Sequence, residues 1–130
     1  MSNIHMQSVS WFTIVGALAA LTHFIVAVGF EYSALLTPSH ANIAGFIAAF
    51  PVSYIGHRKF SFAKHTAKRS EALPRFLSVA VLGFLANQTL VLNGLQYTKL
   101  PFWLVLGLVM VIVAICTYLL SHHWAFKGGK

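Results

Sequence analysis

Residues 11 to 30 read WFTIVGALAALTHFIVAVGF, an uncharged apolar run interrupted only by His23 and two threonines. In helical form, about 20 apolar residues cross the roughly 30 Å of hydrocarbon in a bilayer. That run therefore commits the chain to a membrane-spanning helix. Two further runs, FLSVAVLGFLANQTLVLNGLQY (76–97) and FWLVLGLVMVIVAICTYLLS (102–121), satisfy the same requirement. A shorter one, ANIAGFIAAFPVSYIG (41–56), crosses if its ends draw on Thr37 to His40 and on the anchor from Arg58 to Phe62. The expected fold is an all-α integral membrane domain covering residues 1–130. Its four transmembrane helices span about 11–31, 39–58, 76–97 and 101–122, with a loop over 59–75. Composition agrees: 58% of residues are hydrophobic and 8% charged, against about 25% charged in a soluble domain.

The net charge of +7 is unevenly placed. With four crossings, Arg58, Lys59, Lys64, Lys68, Arg69, Arg75, Lys127 and Lys130 share one side with both termini, and only Lys99 lies on the other. Basic residues concentrate on the cytoplasmic flank of membrane proteins, so both termini are expected in the cytoplasm. The same pattern makes nucleic acid an unneeded partner for the charge. No cleaved signal is expected, because residues 1–10 carry no Lys or Arg and the first apolar run exceeds the length of a signal core. The single Cys116 lies inside an apolar run, rules out a disulfide framework and reads as a small packing residue.

The two halves repeat at a shift of 64 residues. Phe12 falls on Phe76, Val15 on Val79, Leu18 on Leu82, Leu21 on Leu85, Tyr54 on Tyr118, Phe60 on Trp124 and Phe62 on Phe126. The chain thus reads as two tandem helix-pair repeats, each with two crossings, related by an axis along the membrane normal. Both repeats end alike, in HRKFSF and SHHWAF. There the rings of Phe60, Phe62, Trp124 and Phe126 suit anchoring at headgroup depth.

At these endings the chain resembles the GtrA-like family of small four-helix bacterial membrane proteins, whose second and fourth helices end in a polar-basic pair, then aromatic, any residue, Phe. The resemblance runs from about Trp11 to Phe126 and includes the Arg75–Phe76 start of helix three and the polar Asn87 within it. Two positions depart: Trp11 stands where an equivalent of Arg75 would fall, and His122–His123 replaces the arginine expected before the second aromatic motif. The resemblance implies a role in cell-envelope glycan assembly, the flipping of polyprenyl-phosphate-linked sugars across the bacterial inner membrane beside a membrane glycosyltransferase. Implied partners are polyprenyl phosphate or its sugar conjugate and membrane lipids, with no cofactor. A chain with so small an interior is also expected to self-associate.

Such a cargo needs a polar path, since one charged side chain at mid-membrane costs about 2.5–3.5 kcal/mol even on insertion scales. Candidates along the path are His23, Asn87 at the equivalent repeat position, Gln88, Thr89, Asn93, Tyr54 and its repeat mate Tyr118. The structural alternative is that these groups hydrogen-bond across helices and hold the bundle together. For a lipid phosphate the candidates are Arg58, Arg75, Lys59, His122 and His123. Arginine binds phosphate bidentately, and both arginines sit at helix ends. The alternative for this basic foot is general attraction to anionic headgroups. Pro51 is placed to kink helix two and free a carbonyl.

Catalytic signals are absent. The chain has no GxxxxGK[ST] and no Asp, and its two acids, Glu31 and Glu71, support no Ser–His–acid arrangement. No enzyme is expected. His57, His65, His122 and His123 have neither carboxylate nor thiol beside them and fit no zinc spacing. Three functions stay open: a lipid-linked-sugar translocator, a non-transporting scaffold for a glycosyltransferase, and a small proton-coupled exporter. The last would want an acid at mid-membrane, a depth that neither glutamate reaches.

Overall fold

In the computed structural model of the chain, residues 2–61 and 69–120 are described. Four α-helices follow in order: α1 (Ser2–Tyr32), α2 (Pro38–Gly56), α3 (Arg69–Tyr97) and α4 (Phe102–Leu120). A π-helical turn, His57–Ser61, extends α2. No strand occurs among the described residues. Segments Ser10–Tyr32 and Leu77–Tyr97 are long and apolar enough to cross a membrane, and Phe102–Thr117 is apolar but shorter. The helices pack antiparallel in the pairs α1–α2 and α3–α4. The bundle therefore has a hairpin end, with the turns at 33–37 and 98–101, and a foot carrying the π-turn.

Local chemistry sets the first hairpin. Helix α1 stops in a Schellman closure, with Leu35 N–H donating to the Phe30 carbonyl at 3.2 Å and Ala34 N–H to that of Glu31 at 3.0 Å. This closure puts Ala34 at φ 61°, a left-handed position held here by a residue other than glycine. Helix α2 starts on Thr37, whose hydroxyl accepts from His40 N–H at 3.4 Å, and Pro38 occupies the first turn where no N–H is needed. Helix α2 then runs on through Pro51, so the proline removes one ladder donor without ending the helix.

Two rows of residues spaced four apart make the α1–α2 seam, the most extensive contact between helices. Val15, Ala19, His23 and Ala27 are the buried positions of α1 along this stretch, and Ala41, Gly45 and Ala49 face them from α2. Small side chains let the backbones approach closely, which is how helices associate where hydrocarbon offers no hydrophobic drive. A Cβ on Gly45 would lie 2.6 Å from the His23 carbonyl oxygen. Similarly, α3 and α4 meet where a Cβ on Gly94 would stand 2.8 Å from Val105.

The apolar core belongs to the hairpin half. There Ala27, Ala41, Val91, Phe102, Leu106 and their neighbours bring all four helices together. Toward the foot, the described side chains of α3 from Leu77 to Ala86 and of α4 from Met110 to Leu119 include none that is buried; Leu77, Val79, Leu82, Leu85, Val111, Ile112 and Ile115 are all exposed.

Candidate functional site

A chain of side-chain hydrogen bonds crosses the bundle just below that core. Asn42, fully buried on the second turn of α2, is its hub. Its amide nitrogen donates to Asn87 Oδ1 at 2.8 Å and to Gln88 Oε1 at 2.7 Å, both on α3. With both amide hydrogens so used, its oxygen accepts from His23 Nε2 of α1 at 2.7 Å, so the network assigns a hydrogen to Nε2. Gln88 Nε2 in turn donates to the hydroxyl of Ser39 at 2.9 Å and to its carbonyl at 3.3 Å. Among the described residues no buried side-chain nitrogen or oxygen lacks a partner. Three helices are thereby tied by polar bonds in an otherwise apolar interior.

From Asn42 a row on α2 descends to the foot at four-residue intervals: Phe46, Phe50, Tyr54, Arg58. Phe46 stacks on Phe84 of α3 with centroids 4.5 Å apart, and Phe50 lies parallel to Tyr54 at 6.2 Å and 5°. Arg58 Nη1 donates to the Tyr54 hydroxyl at 3.3 Å. The neighbouring residue in sequence, His57, has its imidazole buried against Phe12 of α1, centroids 4.6 Å apart. The π-turn starts here, and the His57 N–H is shared between the carbonyls of Ser53 and Tyr54. Such turns often mark functional positions in helices. Beside the row, against α1 and α3, lies an open groove of about 180 Å³, lined by Ala19, Ala20, His23, Phe50, Ser53 and Ala80 among others.

The path candidates therefore separate. His23, Asn87 and Gln88 join one network, although His23 and Asn87 meet only through Asn42. Asn93 and Thr89 stand outside it: both are exposed and bond to carbonyls of their own helix, Asn93 Nδ2 to Thr89 and Thr89 Oγ1 to Leu85. Tyr54 belongs to the foot. Of the phosphate candidates, Arg58 is half-buried beside Tyr54, whereas Lys59 and Arg75 are exposed. Arg75 makes no hydrogen bond among the described residues. His122, His123, Trp124, Phe126 and Phe62 lie outside the described residues, as do the side chains of Phe60 and Tyr118.

Sequence reasoning missed Asn42 and Ser39. The signal was present, since Asn42 is the lone amide in the run 41–56. The repeat concealed it: at a shift of 64 residues Asn42 falls on Leu106, a fully buried apolar residue.

A helical bundle with a polar chain in its apolar interior is an architecture open to several families. The transmembrane-domain model described as GtrA/DPMS matches residues 11–126. The chain belongs to that family. It is accordingly a membrane protein, and the matched stretch contains the whole polar chain, the aromatic row and Arg58. No curated protein and no solved structure matches it.

Proposed function

We propose that the protein moves a polyprenyl-phosphate-linked sugar across the bacterial cytoplasmic membrane, with four crossings and both termini in the cytoplasm, and that it performs no covalent chemistry. Membership of the GtrA/DPMS transmembrane family supports a role with this class of lipid. The observation that carries the reading is the graded row on α2, which leads from the Arg58 guanidinium past Tyr54, Phe50 and Phe46 to the buried amide of Asn42. Guanidinium suits the phosphate. Aromatic faces suit the sugar ring and lipid chain, and amides exchange hydrogen bonds readily with hydroxyls. A cargo entering from the foot would meet these groups in that order. Passage then requires Asn42 to trade its bonds with Asn87 and Gln88 for bonds to the cargo, opening the hairpin half.

The scaffold reading, in which the protein only holds a membrane glycosyltransferase, is favoured by one observation: the polar chain is fully satisfied within the protein, as a structural network should be. Reconstitution separates the two. Purified protein in liposomes is expected to accelerate transbilayer movement of a fluorescent polyprenyl-phosphate-sugar, and Arg58→Lys is expected to abolish most of that gain while keeping the charge. Unaccelerated movement with wild-type protein, together with co-purification of a glycosyltransferase, would establish the scaffold instead.

A further inference from the structure

The four apolar runs, 11–30, 41–56, 76–97 and 102–121, hold no Lys, Arg, Asp or Glu and a single histidine, His23. His23 is therefore the one side chain in them able to carry a positive charge. It is 8% exposed, and its two ring nitrogens have different surroundings. Nε2 donates to Asn42, and the Cδ2 edge of the ring packs on Gly45. Nδ1 has no hydrogen-bond partner among the described residues. Because no enclosed side-chain nitrogen among those residues lacks a partner, Nδ1 is accessible, and the opening that His23 lines is the groove. The side chains around the ring, Asn42 and Phe46 of α2 and Phe84 of α3, neither titrate nor carry charge, and α4 meets this stretch of α1 through Gly107, at Phe24. A phosphodiester that reaches this depth has left Arg58 behind, since Gly45 lies about 20 Å from Arg58 along α2 at 1.5 Å per residue. Ionisable groups so deep pair with one another, because an uncompensated charge is costly in hydrocarbon.

We infer that His23 is a proton-binding site that becomes charged as the cargo's phosphodiester enters the groove, so that passage through mid-membrane is electroneutral. One proton moves from water in the open groove to the lone pair of Nδ1. Nε2 keeps its hydrogen and its bond to Asn42, and no other bond forms or breaks. The imidazolium and the phosphodiester then cancel each other's single charge. Histidine suits this task because its charge changes near neutral pH, whereas an arginine here would hold its charge in an empty groove. The inference rests on the anionic cargo of the proposed function and adds the counter-charge that the foot cannot supply at this depth.

Binding in detergent tests this with citronellyl glucosyl phosphate, a phosphodiester whose single charge is constant near neutral pH, and with citronellyl glucoside, its uncharged counterpart. Wild-type protein is expected to take up about one proton per bound phosphodiester, read by calorimetry in buffers of different ionisation enthalpy, and to bind it about tenfold more tightly at pH 7 than at pH 8. The sign follows from linkage: a proton taken up on binding raises affinity as pH falls. The glucoside is expected to bind without either effect. His23→Gln retains an amide N–H for Asn42 but accepts no proton, so it is expected to lose both the uptake and the pH dependence while keeping its affinity for the glucoside. His57→Gln, at the foot, is expected to keep both whatever its absolute affinity. Wild-type binding of the phosphodiester that is independent of pH, an unchanged pH profile in folded His23→Gln, or loss of uptake in His57→Gln overturns the inference. The first and last of these need no change at position 23, so they decide the matter even if His23→Gln fails to fold. The proposed function fails in a different way. Equal affinity of wild type for the two probes at every pH removes both readings, whereas a preference for the phosphodiester that ignores pH and is lost in Arg58→Lys removes the proton site alone.

Discussion

Asn42 is one residue holding three helices, and its removal shows how an amide hub differs from an ordinary membrane hydrogen bond. Asn42→Leu leaves His23 Nε2, Asn87 Oδ1 and Gln88 Oε1 without their shared partner. A typical interhelical bond in a membrane is worth about 0.6 kcal/mol. Because several buried groups are stranded together here, a loss of about 1–3 kcal/mol is expected, read as a lowered unfolding midpoint in detergent. Thr89→Val is the control. Its hydroxyl bonds to the Leu85 carbonyl of its own helix, so a change within about 0.5 kcal/mol is expected. Comparable destabilisation by the two substitutions would remove the hub from Asn42. At this scale the sequence was half legible. His23 and Asn87 stood out because the repeat superposes them, but nothing singled out Asn42, whose shifted position is the apolar Leu106.

The α1–α2 seam is the element on which the site depends, since α1 supplies His23 and one wall of the groove while α2 supplies the hub and the row. Gly45→Ala puts a methyl group 2.6 Å from a backbone oxygen, which cannot rotate away. It is expected to part the helices and cost about 1–3 kcal/mol. Gly16→Ala in α1 meets nothing within 4 Å and should be neutral or gain up to about 1 kcal/mol from helix propensity. If Gly45→Ala proves as benign as Gly16→Ala, the close approach is not what joins the pair. The turn between these helices offers a change of opposite sign. Ala34→Gly relieves the left-handed strain at φ 61° and, after the greater freedom of glycine in the unfolded chain, should stabilise by about 0.5–1 kcal/mol; an unchanged or lowered unfolding midpoint would count against it. The helices themselves were legible from apolar length. The seam was harder to read, because rows such as Ala41–Gly45–Ala49 look like any other small residues in a run rich in alanine. Only the structure shows which face of each helix they occupy.

Across the whole molecule, the tandem repeat predicts symmetry that the interior then breaks. The polar residues His23, Asn42, Asn87 and Gln88 have as repeat mates Asn87, Leu106, His23 and Phe24. Two members of the network thus face apolar counterparts in the core around Leu106. The expected repeat therefore does not carry the polar network as matched pairs: Asn42 and Gln88 bond within it, while the residues at their shifted positions, Leu106 and Phe24, belong to the apolar core. Topology is the property on which every directional statement depends, and α2 decides it. At 19 residues and 1.5 Å per residue it is about 28 Å long, close to the roughly 30 Å of hydrocarbon, and the π-turn from His57 to Ser61 lengthens it at the foot. If α2 crosses, the number of spans is even, and Arg58, Lys59 and the loop basic residues share a side with Lys130. A reporter active only in the cytoplasm should therefore be active when fused after Lys130 and silent when inserted in the turn at 33–36. If α2 instead folds back without crossing, three spans remain and the termini separate. A fusion at Lys130 would then report the periplasm while one at Met1 still reported the cytoplasm, and the row from Arg58 to Asn42 could no longer lead from one face of the membrane toward the other.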